Sequence, residues 1–139
     1  DSALEIGTGS GFFAALLAGR AEWVRTMEID LDLVKFAGDN LERNGVGNVI
    51  LDHGDGLGGW PQRAPYDVIV VSGGVSFVPQ ALLEQLAVGG RLFAFVGEAP
   101  VMKARLITCE AEGRFRTEDI FETVVPMLQN APRHDAFSF

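Results

Sequence analysis

Leu4-Glu5-Ile6-Gly7-Thr8-Gly9-Ser10-Gly11 carries the chain from an apolar strand, through a glycine-rich turn, into an apolar helix. Glycine has no Cβ and reaches backbone angles that other residues avoid, so a turn of this kind lets main chain approach a nucleotide-like ligand. The spacing narrows the ligand. A dinucleotide fingerprint requires G-x-G-x-x-G, in which the third glycine lets helix and strand pack closely. Phe12 occupies that third place here, and the glycines alternate at positions 7, 9 and 11. A nicotinamide enzyme is therefore disfavoured.

Working outward, strand-like apolar runs alternate with helical periodicity over the first hundred residues, which implies right-handed βαβ units and a largely parallel sheet. Residues 3–6 read as the first strand; Ser10 caps a helix over 11–18, and Gly19 stops it. Residues 23–29 form the second strand, and Asp30 is a good N-cap for a helix whose Val34, Ala37 and Leu41 share a face until Gly45. A short third strand over 48–51 leads into the turn Asp52-His53-Gly54-Asp55-Gly56, and the β-branched run Val68-Ile69-Val70-Val71 marks a central strand over 66–72. Pro79 suits the first position of a helix with Leu82, Leu83 and Leu86 on its buried side, ending at Gly89-Gly90 before a fifth strand over 91–96. The period then becomes two over 101–109 and 114–124, with Glu112-Gly113 as the turn. The fold class is α/β: a Rossmann-like doubly wound sheet, mostly parallel, with a C-terminal antiparallel hairpin. The last dozen residues, ending in Phe137-Ser138-Phe139, show no period.

At 139 residues and 47% hydrophobic composition, the chain fits one domain with one core. Eleven basic against nineteen acidic side chains give a formal charge of -8, which repels nucleic acid, and no basic run offsets it. The single Cys109 excludes an internal disulfide and is compatible with a cytoplasmic location. No apolar run reaches membrane-spanning length. The sequence starts at Asp1 without a Met, a few residues before the glycine turn, and reads as truncated at its N-terminus.

Two carboxylates are placed to meet a nucleoside. Glu28 lies 21 residues after Gly7 at the end of the second strand, where a carboxylate accepts from both ribose hydroxyls of a nucleotide. Asp30 competes for that role, but helix capping explains it better. Asp55, flanked by Gly54 and Gly56, either accepts from an adenine amine or closes an Asx turn. The ends of the first three strands line one crevice of a doubly wound sheet, which favours the ligand role.

Glu5 is an acid inside an apolar strand, and burying it unpaired is costly. Its expected partners are backbone amides of the turn, a water or the amino group of a ligand; exposure is the other reading. Ser72 follows the fourth strand near the reacting end of the crevice, whereas Asp67 falls at the far edge in a structural role. Trp60 and Phe77 are core residues or covers for an adenine or a cationic ligand. His53 and His134 have no metal-ligand spacing, and 71–74 is not a nucleophile elbow.

The E-x-G-x-G-x-G pattern resembles that of S-adenosylmethionine-dependent methyltransferases. More specifically, the chain resembles the protein-L-isoaspartate O-methyltransferase family in 4–11, Asn40-Leu41-Glu42-Arg43-Asn44-Gly45, Gly54-Asp55-Gly56, Tyr66-Asp67-Val68-Ile69-Val70-Val71 and 79–92. The stretch Val78-Pro79-Gln80-Ala81-Leu82-Leu83-Glu84-Gln85-Leu86 is the most characteristic of these. The resemblance implies a class I methyltransferase fold, S-adenosyl-L-methionine as cofactor, and the α-carboxyl of L-isoaspartyl residues in damaged proteins as acceptor. It implies donor contacts from Gly7, Thr8, Gly9, Gly11, Glu28, Asp55 and Gly56; Glu5, Ile29 and Ser72 join them as candidate donor contacts, and no catalytic residue is identified. Phe12 and Ser72-Gly73-Gly74 depart from the Tyr and the Thr-Ala-Ala type stretch usual in the family. The alternatives are a small-molecule methyltransferase of the same fold and a donor-binding module that does not turn over.

Overall fold

A computed structural model describes residues 1–7 and 11–128. Seven strands form one sheet: β1 (Ser2–Ile6), β2 (Trp23–Glu28), β3 (Val49–His53), β4 (Tyr66–Val75), β5 (Leu86–Glu98), β6 (Val101–Ala111) and β7 (Arg114–Thr123). Their order is β3-β2-β1-β4-β5-β6-β7, parallel from β3 to β5 and antiparallel beyond. The doubly wound architecture and the closing hairpin are those expected. Strand order reverses between β1 and β4, and at such a switch point the two crossovers leave in opposite directions and open a crevice at the carboxyl ends.

Helices α1 (Phe12–Ala18) and α2 (Leu31–Arg43) cover the face that carries Ala3, Glu5, Val24 and Thr26. Asp30 starts α2 as read from the sequence: its side chain accepts from the amides of Asp32 and Leu33. Ala37 and Leu41 bury the inner stripe of that helix. Gly11, rather than Ser10, is the N-cap of α1, with a left-handed φ of 86° and no side-chain cap bond. Ser10 lies outside the described residues.

On the opposite face Leu4, Ile6, Met27, Ile69, Val71, Leu92 and Ile107 form the main core with Tyr66 and Leu82. Burying each such aliphatic side chain stabilises by roughly 1.5–3 kcal/mol. Two single helical turns, Gly56–Gly58 and Pro61–Arg63, and the short α3 (Gln80–Leu83) close this face. The Gln85 amide ties them together, donating to the Gly58 carbonyl and accepting from the Trp60 amide, both at 2.9 Å.

Boundaries around α3, β4 and β5 differ from the sequence reading. The helix begun near Pro79 is four residues long, with Pro79 as its N-cap, and Leu86 already belongs to β5. Leu86 pairs with Tyr66, and the Tyr66 amide donates to the Gln85 carbonyl, so strand pairing overrides the leucine spacing. Ser72 and Gly73 do not end β4, which continues to Val75 because Gly74 and Val75 pair with Phe95 and Val96. Asp67 sits at the far edge as expected, accepting from the Ser2 amide at 2.9 Å.

Candidate functional site

Main-chain bonds gather the carboxyl ends of three strands. The Gly7 amide donates to the Met27 carbonyl and the Gly54 amide to the Glu28 carbonyl, each at 2.8 Å. His53 Nε2 meets the Ile29 carbonyl at 2.9 Å, which gives that histidine a structural role. Gly7, Glu28, Ile29, Asp55 and Gly56 thereby converge on one crevice of about 230 Å³. The ~30 Å³ that one water occupies in the liquid is far smaller, so the space suits an organic group.

Each lining element has a physical reason. Gly56 packs its main chain on β1 and β2; a Cβ there would meet Ile6 Cγ2 at 2.9 Å and Met27 Cβ at 3.1 Å. Asp55 accepts from the Leu57 amide at 3.0 Å, so the Asx-turn geometry is present while Asp55 also lines the crevice. Glu28 is buried, accepts from the Asp30 amide at 3.0 Å and lines the same wall. Apolar Ile6, Met27, Leu33 and Leu57 complete that half, and Ser72 with Gly73 brings β4 to the other.

Glu5 lies beneath this surface. It is fully buried and accepts from the hydroxyls of Thr26 and Ser72, both at 2.7 Å, two partners absent from the sequence expectation. It is Ser72, rather than Glu5, that reaches the lining. Gly11 is buried against α2, where a Cβ would meet the Ala37 carbonyl and Leu41 at 3.3 Å. Thr8 and Gly9 lie outside the described residues, as does His134.

Trp60 and Phe77 do not cover the crevice. Trp60 packs on the core, with the Arg25 guanidinium 4.6 Å from its ring centre and Arg25 paired to Asp52, whereas Phe77 is exposed. The cover is instead a segment that aperiodic sequence concealed: Pro126, Met127 and Leu128. The Gly74 amide donates to the Pro126 carbonyl and the Leu128 amide to the Gly74 carbonyl, at 2.8 and 2.9 Å. The Leu128 side chain lies on Gly7 and Gly73, where a Cβ would come within 2.7 and 2.6 Å of its Cδ2. The readable signal was the Gly73-Gly74 pair inside a strand, which marks close approach of another chain segment.

No lysine or arginine is among the described lining residues, whereas two carboxylates are. Such a wall disfavours phosphates and favours a neutral nucleoside joined to a cation. Among the described residues, no group of three His, Cys, Asp or Glu side chains is placed to hold a metal ion. No helix of the described residues is long and apolar enough to cross a membrane.

Strand order, switch point and crevice together define a class I methyltransferase fold. A solved protein-L-isoaspartate O-methyltransferase superposes with a TM-score of 0.82 at 33% identity, covering 91% of this chain and 41% of the other. A family model, protein-L-isoaspartate(D-aspartate) O-methyltransferase, matches residues 1–131, and the chain belongs to that family. It is 42% identical over 121 residues to protein-L-isoaspartate O-methyltransferase 1 of Geotalea uraniireducens, covering 86% of this chain and 55% of that one. It is 43% identical over 132 residues to the Pseudomonas fluorescens protein-L-isoaspartate O-methyltransferase, covering 95% and 62%. The chain thus spans roughly half to two thirds of the length of these relatives. A Plasmodium falciparum protein described as a putative member, in complex with S-adenosyl-L-homocysteine, shares the fold at 22% identity with a TM-score of 0.77, covering 91% of this chain and 65% of that one.

Proposed function

We propose that this chain is the S-adenosylmethionine-binding domain of a protein-L-isoaspartate O-methyltransferase, a repair enzyme acting on L-isoaspartyl residues of damaged proteins. The observation that carries the reading is the convergence of Glu28 and Asp55 with Gly7 on one crevice whose described lining residues include no Lys or Arg. Glu28 takes the ribose hydroxyls, each charge-assisted bond contributing about 1.5–3 kcal/mol. Asp55 and Gly56 take the adenine edge, between Leu33, Ile29 and Leu57. Gly7 begins the turn that holds the methionine part, with Thr8, Gly9 and Gly11 assigned to it by the family motif.

The donor supplies an electrophilic methyl on a positively charged sulfur. When bound, it would give that methyl to an acceptor carboxylate oxygen, whose lone pair would form the C–O bond while the C–S bonding pair would pass to sulfur. An α-carboxyl is already ionised near neutral pH, so no general base is required. The protein's task is alignment, through the glycine turn on one side and the 126–128 segment on the other. Reading all seven strands as one domain, and the buried Cys109 thiol as that of a cytoplasmic protein, fits this assignment.

Calorimetric titration with S-adenosylmethionine, S-adenosylhomocysteine and NAD tests the donor site: the first two bind and the third does not. Incubation with labelled donor and an isoaspartyl peptide, beside its normal aspartyl twin, tests the acceptor. Label appearing equally in both peptides, or in neither while a small carboxylic acid is methylated, would sink the repair assignment.

A further inference from the structure

A second cavity, of about 700 Å³, opens beside the amino ends of β4 and β5, at the other end of the sheet from Glu28 and Asp55. Its origin lies in strand register. β5 begins at Leu86 and β6 runs on to Ala111, yet the two pair only from Arg91 and Thr108 onward. On its other side β5 meets β4 at Leu86 and again at Arg91, with a register shift between, so residues 87–90 leave the regular ladder. The start of β5 therefore parts from the end of β6. Residues of α3 and of the β6–β7 turn line the gap that results.

Most of the lining is apolar. Leu86 and Cys109 are buried, whereas Leu83 and Phe115 are only partly buried and Val88 is exposed. A concave, mostly apolar space of ~300–1,000 Å³ with a few polar groups is the usual form of a small-ligand site.

Charge narrows the ligand. Glu84, which ends α3, and Glu112, in the turn, are the two ionisable carboxylates of the lining, and neither joins an ion pair among the described residues. Glu110 nearby differs, since Arg116 approaches it at 3.7 Å. Arg63 and Arg114 adjoin lining residues in sequence, but no Lys or Arg is among the described lining itself. Two unpaired acids beside an apolar surface attract a cation with an apolar body and repel a carboxylate or phosphate.

We propose that this cavity binds a small organic ammonium ion, with its apolar body against Leu83, Leu86 and Phe115 and its charge toward Glu84 and Glu112. The site is separate from the Glu28 crevice and stands whether or not the donor reading does.

The probes are hexylammonium, the neutral hexanol and the hexanoate anion, each titrated into the full chain while backbone amide NMR signals are followed. Hexylammonium is expected to shift signals of residues 83–88 and 109–115 and to bind about fivefold more tightly than hexanol, because each exposed charge pair contributes modestly. Hexanoate is expected to bind most weakly of the three. Glu84→Gln combined with Glu112→Gln should bring hexylammonium down to the affinity of hexanol and leave hexanol within about twofold. Both acids are exposed, so this variant folds. Val88→Trp, which puts an indole into the lining, should weaken hexylammonium and hexanol alike. Equal binding of ammonium and alcohol, a preference that survives the double substitution, or shifts confined to residues outside the cavity would overturn the proposal. So would the absence of any shift at millimolar probe.

Discussion

The Asp30 amide donates to the Glu28 carboxylate at 3.0 Å, while the Asp30 side chain turns away to cap α2. Two adjacent acids thus have separate tasks, one at the crevice and one at a helix end. Glu28→Ala is expected to weaken S-adenosylhomocysteine binding at least tenfold, about 1.4 kcal/mol. Asp30→Ala is expected instead to cost about 0.5–2 kcal/mol of folding stability through the lost cap, with affinity kept within about twofold. Calorimetry and urea unfolding on both variants separate the two effects; a reversed pattern would exchange their roles.

Leu128 and Gly73 are expected to be energetically coupled. A methyl added at position 73 would meet Leu128 Cδ2 at 2.6 Å and Cγ at 2.8 Å. Gly73→Ala should therefore destabilise by about 1–3 kcal/mol through overpacking. In a Leu128→Ala background most of that cost should vanish, giving a favourable coupling energy in a double-mutant cycle. Additive losses would show that segment 126–128 does not rest on β4 in solution.

Tyr66 is fully buried, and its hydroxyl donates to the Trp60 carbonyl at 2.7 Å. Desolvation raises its pKa above the ordinary 10.0, a trend the positive charges of Arg25 and Arg63 oppose. With the folded value raised, Tyr66 contributes stability that is complete below the unfolded pKa and lost as pH climbs through the folded one. Urea midpoints should accordingly fall above about pH 10. Tyr66→Phe should remove that alkaline component and cost about 1–3 kcal/mol at neutral pH, because the Trp60 carbonyl loses its partner. An unchanged alkaline profile in this variant would exclude Tyr66 as its source.

The sheet was legible because its code is local. Val68-Ile69-Val70-Val71 reads as a strand covered on both faces, Asp30 as a cap, and Gly113, with a φ of 72°, as the turn of the final hairpin. What escaped depends on partners distant in sequence. Leu82, Leu83 and Leu86 look helical until Leu86 is seen to pair with Tyr66. Glu5 was visible as a carboxylate needing donors, but its hydroxyl partners come from β2 and β4, which only the assembled sheet brings beside it. Pro126, Met127 and Leu128 carry no motif; their meaning comes from the space left by Gly7, Gly73 and Gly74.

The crevice takes its floor from the earliest strands and its cover from a segment pinned to Gly74 more than fifty residues later. During synthesis, a nascent chain that has not yet released residues 126–128 from the ribosome lacks the wall that Pro126, Met127 and Leu128 give the crevice. Completion of the pocket is thus tied to arrival of residues 126–128.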